Sequence, residues 1–166
     1  MDLLNPITMK TAAAIEVGEL CYLPTPISSL AFVAGGDWGK TWIGLWMDDG
    51  IPSIVNGNPP RATPSFGQNW CLEIVPTRHT TSGPIGDGSA FLGQILMQTD
   101  GPHLLVRASQ TEPDVMALNL ATWQLSYPEQ RGGYGFDWRV WASQQDRMSP
   151  HARPLHETRY EPREGK

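Results

Sequence analysis

The sequence predicts a mainly β or α+β domain: a mostly antiparallel sheet, or a sandwich-like arrangement, with one helix near residues 112–125. Three observations carry this expectation. Short runs alternate apolar and polar side chains with a period of two, the pattern of strands half-buried in a sheet. Glycine (17) and proline (15) are spread along the 166 residues, which sets many turns and leaves little room for long helices. One pair of apolar runs is also joined by a strong hairpin turn.

The strands come first. Between Ile15 and Leu23, the side chains of Ile15, Val17, Cys21 and Leu23 share one face, with Glu16 and Gly18 opposite. Leu30 to Val33 is a short apolar run that ends at Gly35-Gly36. Trp70, Leu72 and Ile74 alternate with Cys71, Glu73 and Val75. Phe136, Trp138 and Val140 share a face that Asp137, Arg139 and Trp141 do not. The hairpin joins Phe91–Gln98 to His103–Ser109 through Thr99-Asp100-Gly101-Pro102. Asp-Gly supplies the turn residues, and Pro102 restricts Gly101 to extended or turn geometry.

The helix is read from its start. Thr111-Glu112-Pro113-Asp114 offers a capping hydroxyl, an early proline and two acids facing the positive end of the dipole. Met116, Leu120 and Trp123 then form a helical stripe, although the stretch also fits a strand. Residues 52–68 and 80–89 read as loops. From 147 to 166, three prolines interrupt a polar segment, so the chain divides into a β-rich domain over 1–146 and a tail over 147–166. Leu155 and Tyr160 are the tail's apolar anchors.

Composition excludes several classes. Apolar residues make up 40% and charged residues 17%, below the usual ~25%, so the chain has a core to bury and is not disordered. A net charge of −5 argues against nucleic acid as a partner. The tail holds five basic and three acidic side chains, a net +2, which leaves −7 on the body. No apolar run approaches the ~20 residues of a membrane span. Asp2 and Asn5-Pro6 break the pattern of a signal peptide, so a cytoplasmic location is expected. Cys21 and Cys71 both sit in strand-like apolar runs and read as buried thiols.

Seven tryptophans are many for this length. Trp38, Trp42 and Trp46 are spaced by four, which aligns them on one strand face, with Gly44 leaving a gap between two indoles. Such a platform, with Asp37 beside it, can stack a sugar ring or a partner's side chain, and core packing is its plainer use.

Ala34-Gly35-Gly36-Asp37-Trp38-Gly39-Lys40-Thr41 resembles the phosphate-binding loop of the P-loop nucleotidases, with alanine in the first glycine position. The resemblance implies a strand, an anion-cradling loop at Gly39, Lys40 and Thr41, and a helix beginning at the lysine. It covers eight residues only. The segment after it, with Ile43 and Gly44, is a poor helix former, and the later chain does not alternate strands with helices.

His79 and His103 are the histidines of the body, close in sequence to Ser82, Asp87, Ser89 and Asp100. If their loops converge, hydrolase-like acid–base chemistry is open to them. No metal-ligand or nucleophile spacing accompanies them. The reading is therefore a non-catalytic binding or assembly module without a cofactor. It recognises a partner protein, its own subunits or a glycan-like ligand through the aromatic surface and the tail. The alternatives are an enzyme using His79 or His103, and a P-loop-like nucleotide-binding protein.

Overall fold

The computed structural model of the chain describes residues 7–23, 28–37, 39–46, 51–55, 62–80, 92–108, 114–128 and 134–158, with the backbone alone at 28, 29, 46, 76–80 and 134. It is mostly β, as the periodicity requires. The strands are β1 (Thr8–Lys10), β2 (Leu20–Tyr22), β3 (Ser28–Ala34), β4 (Thr41–Trp46), β5 (Pro52–Val55), β6 (Thr63–Ser65), β7 (Cys71–Thr80), β8 (Ile95–Gln98), β9 (Gly101–Arg107), β10 (Val115–Asn119), β11 (Leu125–Ser126), β12 (Tyr134–Trp141) and β13 (His156–Glu157). Among the described residues one short α-helix, α1, spans Gln144–Met148, capped by the Ser143 hydroxyl accepting from the Asp146 N–H. Among the described residues no helix is long and apolar enough to cross a membrane.

The strands form one curled sheet in the order β1-β6-β2-β3-β4-β5-β9-β8-β12, with β10 and β11 branching from β9, β13 extending one edge of β12 and β7 lying on its other edge. Pairing is antiparallel except between β5 and β9, where Ser53 faces Arg107. The Arg107 Nε donates to the Ser53 hydroxyl across that junction at 2.9 Å.

Period-two alternation sorts the side chains as the sequence suggests. Leu20, Leu30, Phe32, Ile43 and Leu45 point to the concave interior, where Ile95, Leu104, Val106, Trp138 and Val140 meet them. Ile15, Cys21, Leu23, Ala31, Val33 and Trp42 pack together on the other face of β2–β4. The expected hairpin forms between β8 and β9. Gln98 pairs with Gly101, so Thr99 and Asp100 make a two-residue turn, and Gly101 enters the strand at φ +119°.

The helix expected near 112–125 is a strand instead. Val115 to Leu118 are all buried, and β10 pairs with β9 from Val115–Arg107 to Asn119–His103. Met116 and Leu118 enter the main core while Val115 and Ala117 fill a cluster on the opposite face with Leu96 and Leu105. Burial on both faces and an available edge on β9 override the helical stripe. The Thr111-Glu112-Pro113 cap lies outside the described residues.

The polar segment from 147 joins the sheet through residue 158. The Leu155 N–H donates to the Val140 carbonyl at 2.7 Å, and the Thr158 N–H to the Trp138 carbonyl at 3.0 Å. Leu155 packs on the main core, and the His156 ring lies 5.2 Å from that of Trp138. Outside, Arg139 bonds Glu157 at 3.0 Å and Glu73 at 3.2 Å, while Arg147 bonds the other Glu73 oxygen at 2.8 Å. Composition hides this docking because it rests on a few residues. Tyr160 lies outside the described residues.

Two outcomes follow. Leu155→Ala should lower stability by about 1–2 kcal/mol, read from chemical denaturation, because a partly buried leucine leaves the core. Burial holds the His156 pKa below its ordinary value of 6.5, so the folded chain refuses a proton that the unfolded chain accepts. The stability tied to neutral His156 is complete above pH ~6.5 and is lost as pH falls below it. His156→Phe should flatten the denaturation midpoint against pH over this range, whereas an unchanged slope would contradict the buried placement.

Candidate functional site

The sheet does not close on itself. β7 ends it beyond β12, while β1, β6 and β2 form the other end, and no strand pairing joins the two among the described residues. Where they approach lies a cleft of about 430 Å³. Val17, Gly18 and Gln68 line it from the β2 and β6 end. Trp70, Leu72 and Ile74 line it from β7 and its approach, and Pro102, Leu120 and Trp123 complete it.

The aromatic lining is held from behind. Phe32, fully buried, has ring centroids of Trp70, Trp123 and Trp138 at 5.3, 5.6 and 5.9 Å. Trp70 and Trp123 meet edge to face at 5.3 Å, a favoured aromatic geometry. The Trp70 indole N–H donates to the Gly18 carbonyl at 2.9 Å, bridging the two ends of the sheet. Trp138 donates to the Gly93 carbonyl at 2.8 Å and stays inside.

Trp123 is placed by its backbone. It is the one non-glycine with positive φ among the described residues, at 59°, a left-handed conformation that costs a side-chain-bearing residue roughly 1–2 kcal/mol. The turn over 120–123 enforces it. The Asn119 side-chain oxygen accepts from the Ala121 and Thr122 N–H groups at 2.9 and 3.2 Å, and the Trp123 N–H returns to the Asn119 carbonyl at 2.7 Å. Gly35 then receives both sides: its N–H donates to the Trp123 carbonyl, and its carbonyl accepts from Leu125, each at 2.8 Å. Gly18 faces the indole at φ +91°, where a Cβ would come within 3.3 Å of Trp123 Cδ1.

A buried charge fixes the Gly18 wall. Glu19 is 1% exposed, and its Oε1 accepts from Lys10 Nζ and from the Ser65 hydroxyl, both at 2.7 Å. Burial by itself would raise the carboxyl pKa. The bonds from Lys10, the Glu16 N–H and Ser65 outweigh it and hold Glu19 below the usual range. Beside it, burial pushes the Cys21 thiol up to about 11, so it is an inert packing group. Cys71 is likewise a free thiol raised by burial.

The residues singled out from sequence are distributed differently. Trp42 is 7% exposed and packs with Ile15 and Val33, so it offers no open ring face. Trp46 ends β4 with only its backbone described, and Trp38 lies outside the described residues. Asp37 is exposed on the β3–β4 turn.

That turn is also where the phosphate-loop resemblance falls. No helix follows Lys40: Thr41 pairs with Ala34, and Thr41–Trp46 is the strand β4. Gly39, at φ +84°, donates back to the Gly36 carbonyl at 3.1 Å in a turn between antiparallel strands. The Lys40 ammonium caps the turn of 3₁₀ helix over Ala12–Ala14, donating to the carbonyls of Ile15, Ala13 (3.3 Å) and Ala12 (3.4 Å).

His103 lies 3.5 Å from Asp100 and bonds the Gly101 carbonyl at 3.1 Å, while Asn119 donates to Asp100 at 3.3 Å. These contacts tie the β8–β9 turn to β10, and neither His103 nor Asp100 lines the cleft. His79 sits in β7 opposite Gly135, with its side chain not described. Ser82, Asp87 and Ser89 lie outside the described residues. Among the described residues no three His, Cys, Asp or Glu side chains gather to hold a metal. No family model, curated protein or solved structure matches the chain.

Sequence alone does not mark Trp70 and Trp123 as site residues, because alternation puts the first on a strand face and spacing puts the second on a helical stripe. The one local signal was Asn119, whose side chain builds the turn that presents Trp123.

Lys40→Ala should lower stability by about 1 kcal/mol, since three carbonyls lose their cation. Calorimetry with Mg-ATP should give the same trace for variant and parent, and nucleotide binding that depends on Lys40 would contradict the capping role.

Proposed function

We propose that this chain is a non-catalytic binding module whose ligand group enters the cleft beside Trp123, with the buried Trp70 as part of its wall. The ligand is the apolar or ring-bearing side chain of a partner protein, with a sugar-like ring as the second class. The observation that carries this reading is Trp123: a large, half-buried indole held in a strained left-handed turn beside an open cleft. Strain of this kind persists where the surroundings enforce it, and it gathers at ligand-binding positions. Burial in the core is the ordinary fate of tryptophan, and it needs no such backbone. The lining supports recognition by packing, stacking and hydrogen bonding, with Gln68 among its residues.

The test uses two small probes, N-acetyltryptophanamide for a protein side chain and methyl β-glucoside for a sugar ring. Indole N–H resonances are followed by nuclear magnetic resonance. The first probe should shift the Trp70 and Trp123 signals and leave Trp42 and Trp138 unmoved. Trp123→Ala should weaken that binding about tenfold, from a lost aromatic pair and its buried area. A glucoside response without an acetyltryptophanamide response would assign the cleft to sugars. No response of Trp70 and Trp123 to either probe would remove the binding reading.

A further inference from the structure

The cleft has a second property, which comes from the backbone of its wall. β7 pairs with β12 and with no other strand among the described residues, so one long edge of it is unpaired. The direction of its backbone groups follows from β12. The Trp138 carbonyl accepts from Thr158, the Trp138 N–H donates to the Thr158 hydroxyl, and the Val140 carbonyl accepts from Leu155. Trp138 and Val140 therefore turn their main-chain groups toward β13. Along a strand these groups alternate from side to side, so Arg139 and Trp141 turn theirs toward β7. Their partners there are Glu73 and Cys71, while Ile74 and Leu72 stand opposite Trp138 and Val140. The N–H and C=O groups of Leu72 and Ile74 consequently point away from β12, at the free edge, and none has a hydrogen-bond partner among the described residues.

These two residues also line the cleft with their side chains. Among the described residues this short stretch thus leaves two donors and two acceptors unpaired, beside side chains that lead to Trp70 and Trp123. Past Ile74 the register between β7 and β12 shifts, so the offer is short.

Resting on the cleft reading above, we infer that the partner is an extended peptide that adds to β7 as an extra strand. Its main chain pairs with Leu72 and Ile74, and a large apolar side chain enters the cleft. Strand addition matches what is unpaired. An extended chain supplies donors and acceptors at the same two-residue spacing, ~7 Å, and places every second side chain on the cleft face. A free sugar or an isolated aromatic group satisfies the cleft and leaves the edge unused.

The test probe is a capped heptapeptide, Thr-Val-Thr-Trp-Thr-Val-Thr, compared with N-acetyltryptophanamide. Two isomers carry N-methyl groups on alternate residues, one on the valines and tryptophan, the other on the flanking threonines. The heptapeptide should bind at least tenfold tighter than N-acetyltryptophanamide and shift the amide signals of Leu72 and Ile74. One N-methyl isomer should lose at least tenfold against the other, because only alternate amides of an added strand face β7. Equal binding by the two isomers, or a heptapeptide no tighter than the single residue, overturns the inference and leaves the cleft reading standing. If neither probe moves the Trp70 and Trp123 indole signals, the cleft reading fails and this inference fails with it. Ile74→Pro removes one outward N–H without breaking a bond to β12, and Ile74→Val keeps it. With the melting temperature retained, the proline variant should lose more of the heptapeptide's affinity than of acetyltryptophanamide's, and an equal loss for both probes contradicts strand addition.

Discussion

Phe32 stands where the two halves of this molecule meet. Its ring, from the middle of β3, packs against Trp138 on the interior side and against Trp70 and Trp123 at the cleft. Trp138 is fully buried and ties β12 to the approach of β8 through Gly93 and to β13 through Thr158. The same ring that anchors the sheet's curl thus supports the residues that line its opening. Aromatic side chains bury large areas and prefer defined mutual angles, so this cluster fixes shape as well as stability.

A curled sheet of short strands must resolve its edges, because unpaired main-chain groups attract other chains. Here one end is pinned by chemistry. Glu19, buried before β2, takes hydrogen bonds from Lys10 of β1 and Ser65 of β6, joining three short strands through one carboxylate. Removing a partner would leave a buried charge uncompensated, which costs far more than the pair contributes. At the other end, no such pin holds Leu72 and Ile74 of β7 among the described residues.

Much of the fold was legible because strand period is a local signal. The two faces of β4, with Ile43 and Leu45 inward and Trp42 outward, follow from alternation alone. The β8–β9 hairpin was announced by Asp100-Gly101. The segment near 112–125 misled because Met116, Leu120 and Trp123 satisfy a helical period by coincidence: the first lies in β10 and the other two in the turn after it. The cleft was illegible for a different reason. Trp70 and Trp123 are 53 positions apart, and only the topology brings them together. Spacing singled out Trp38, Trp42 and Trp46 because they are near in sequence, and Trp42 turned out to be packed. In the polar segment after 147, Leu155 and His156 dock against a core that composition alone does not reveal.

Trp123 presents an accessible indole edge at the cleft, while Trp42 and Trp138 are closed. Fluorine resonances of 5-fluorotryptophan, assigned by single substitution and recorded with a soluble gadolinium chelate, test it directly. The Trp123 signal should broaden strongly, and those of Trp42 and Trp138 should be protected. A protected Trp123 beside a broadened Trp42 would contradict it and return the aromatic surface to β4.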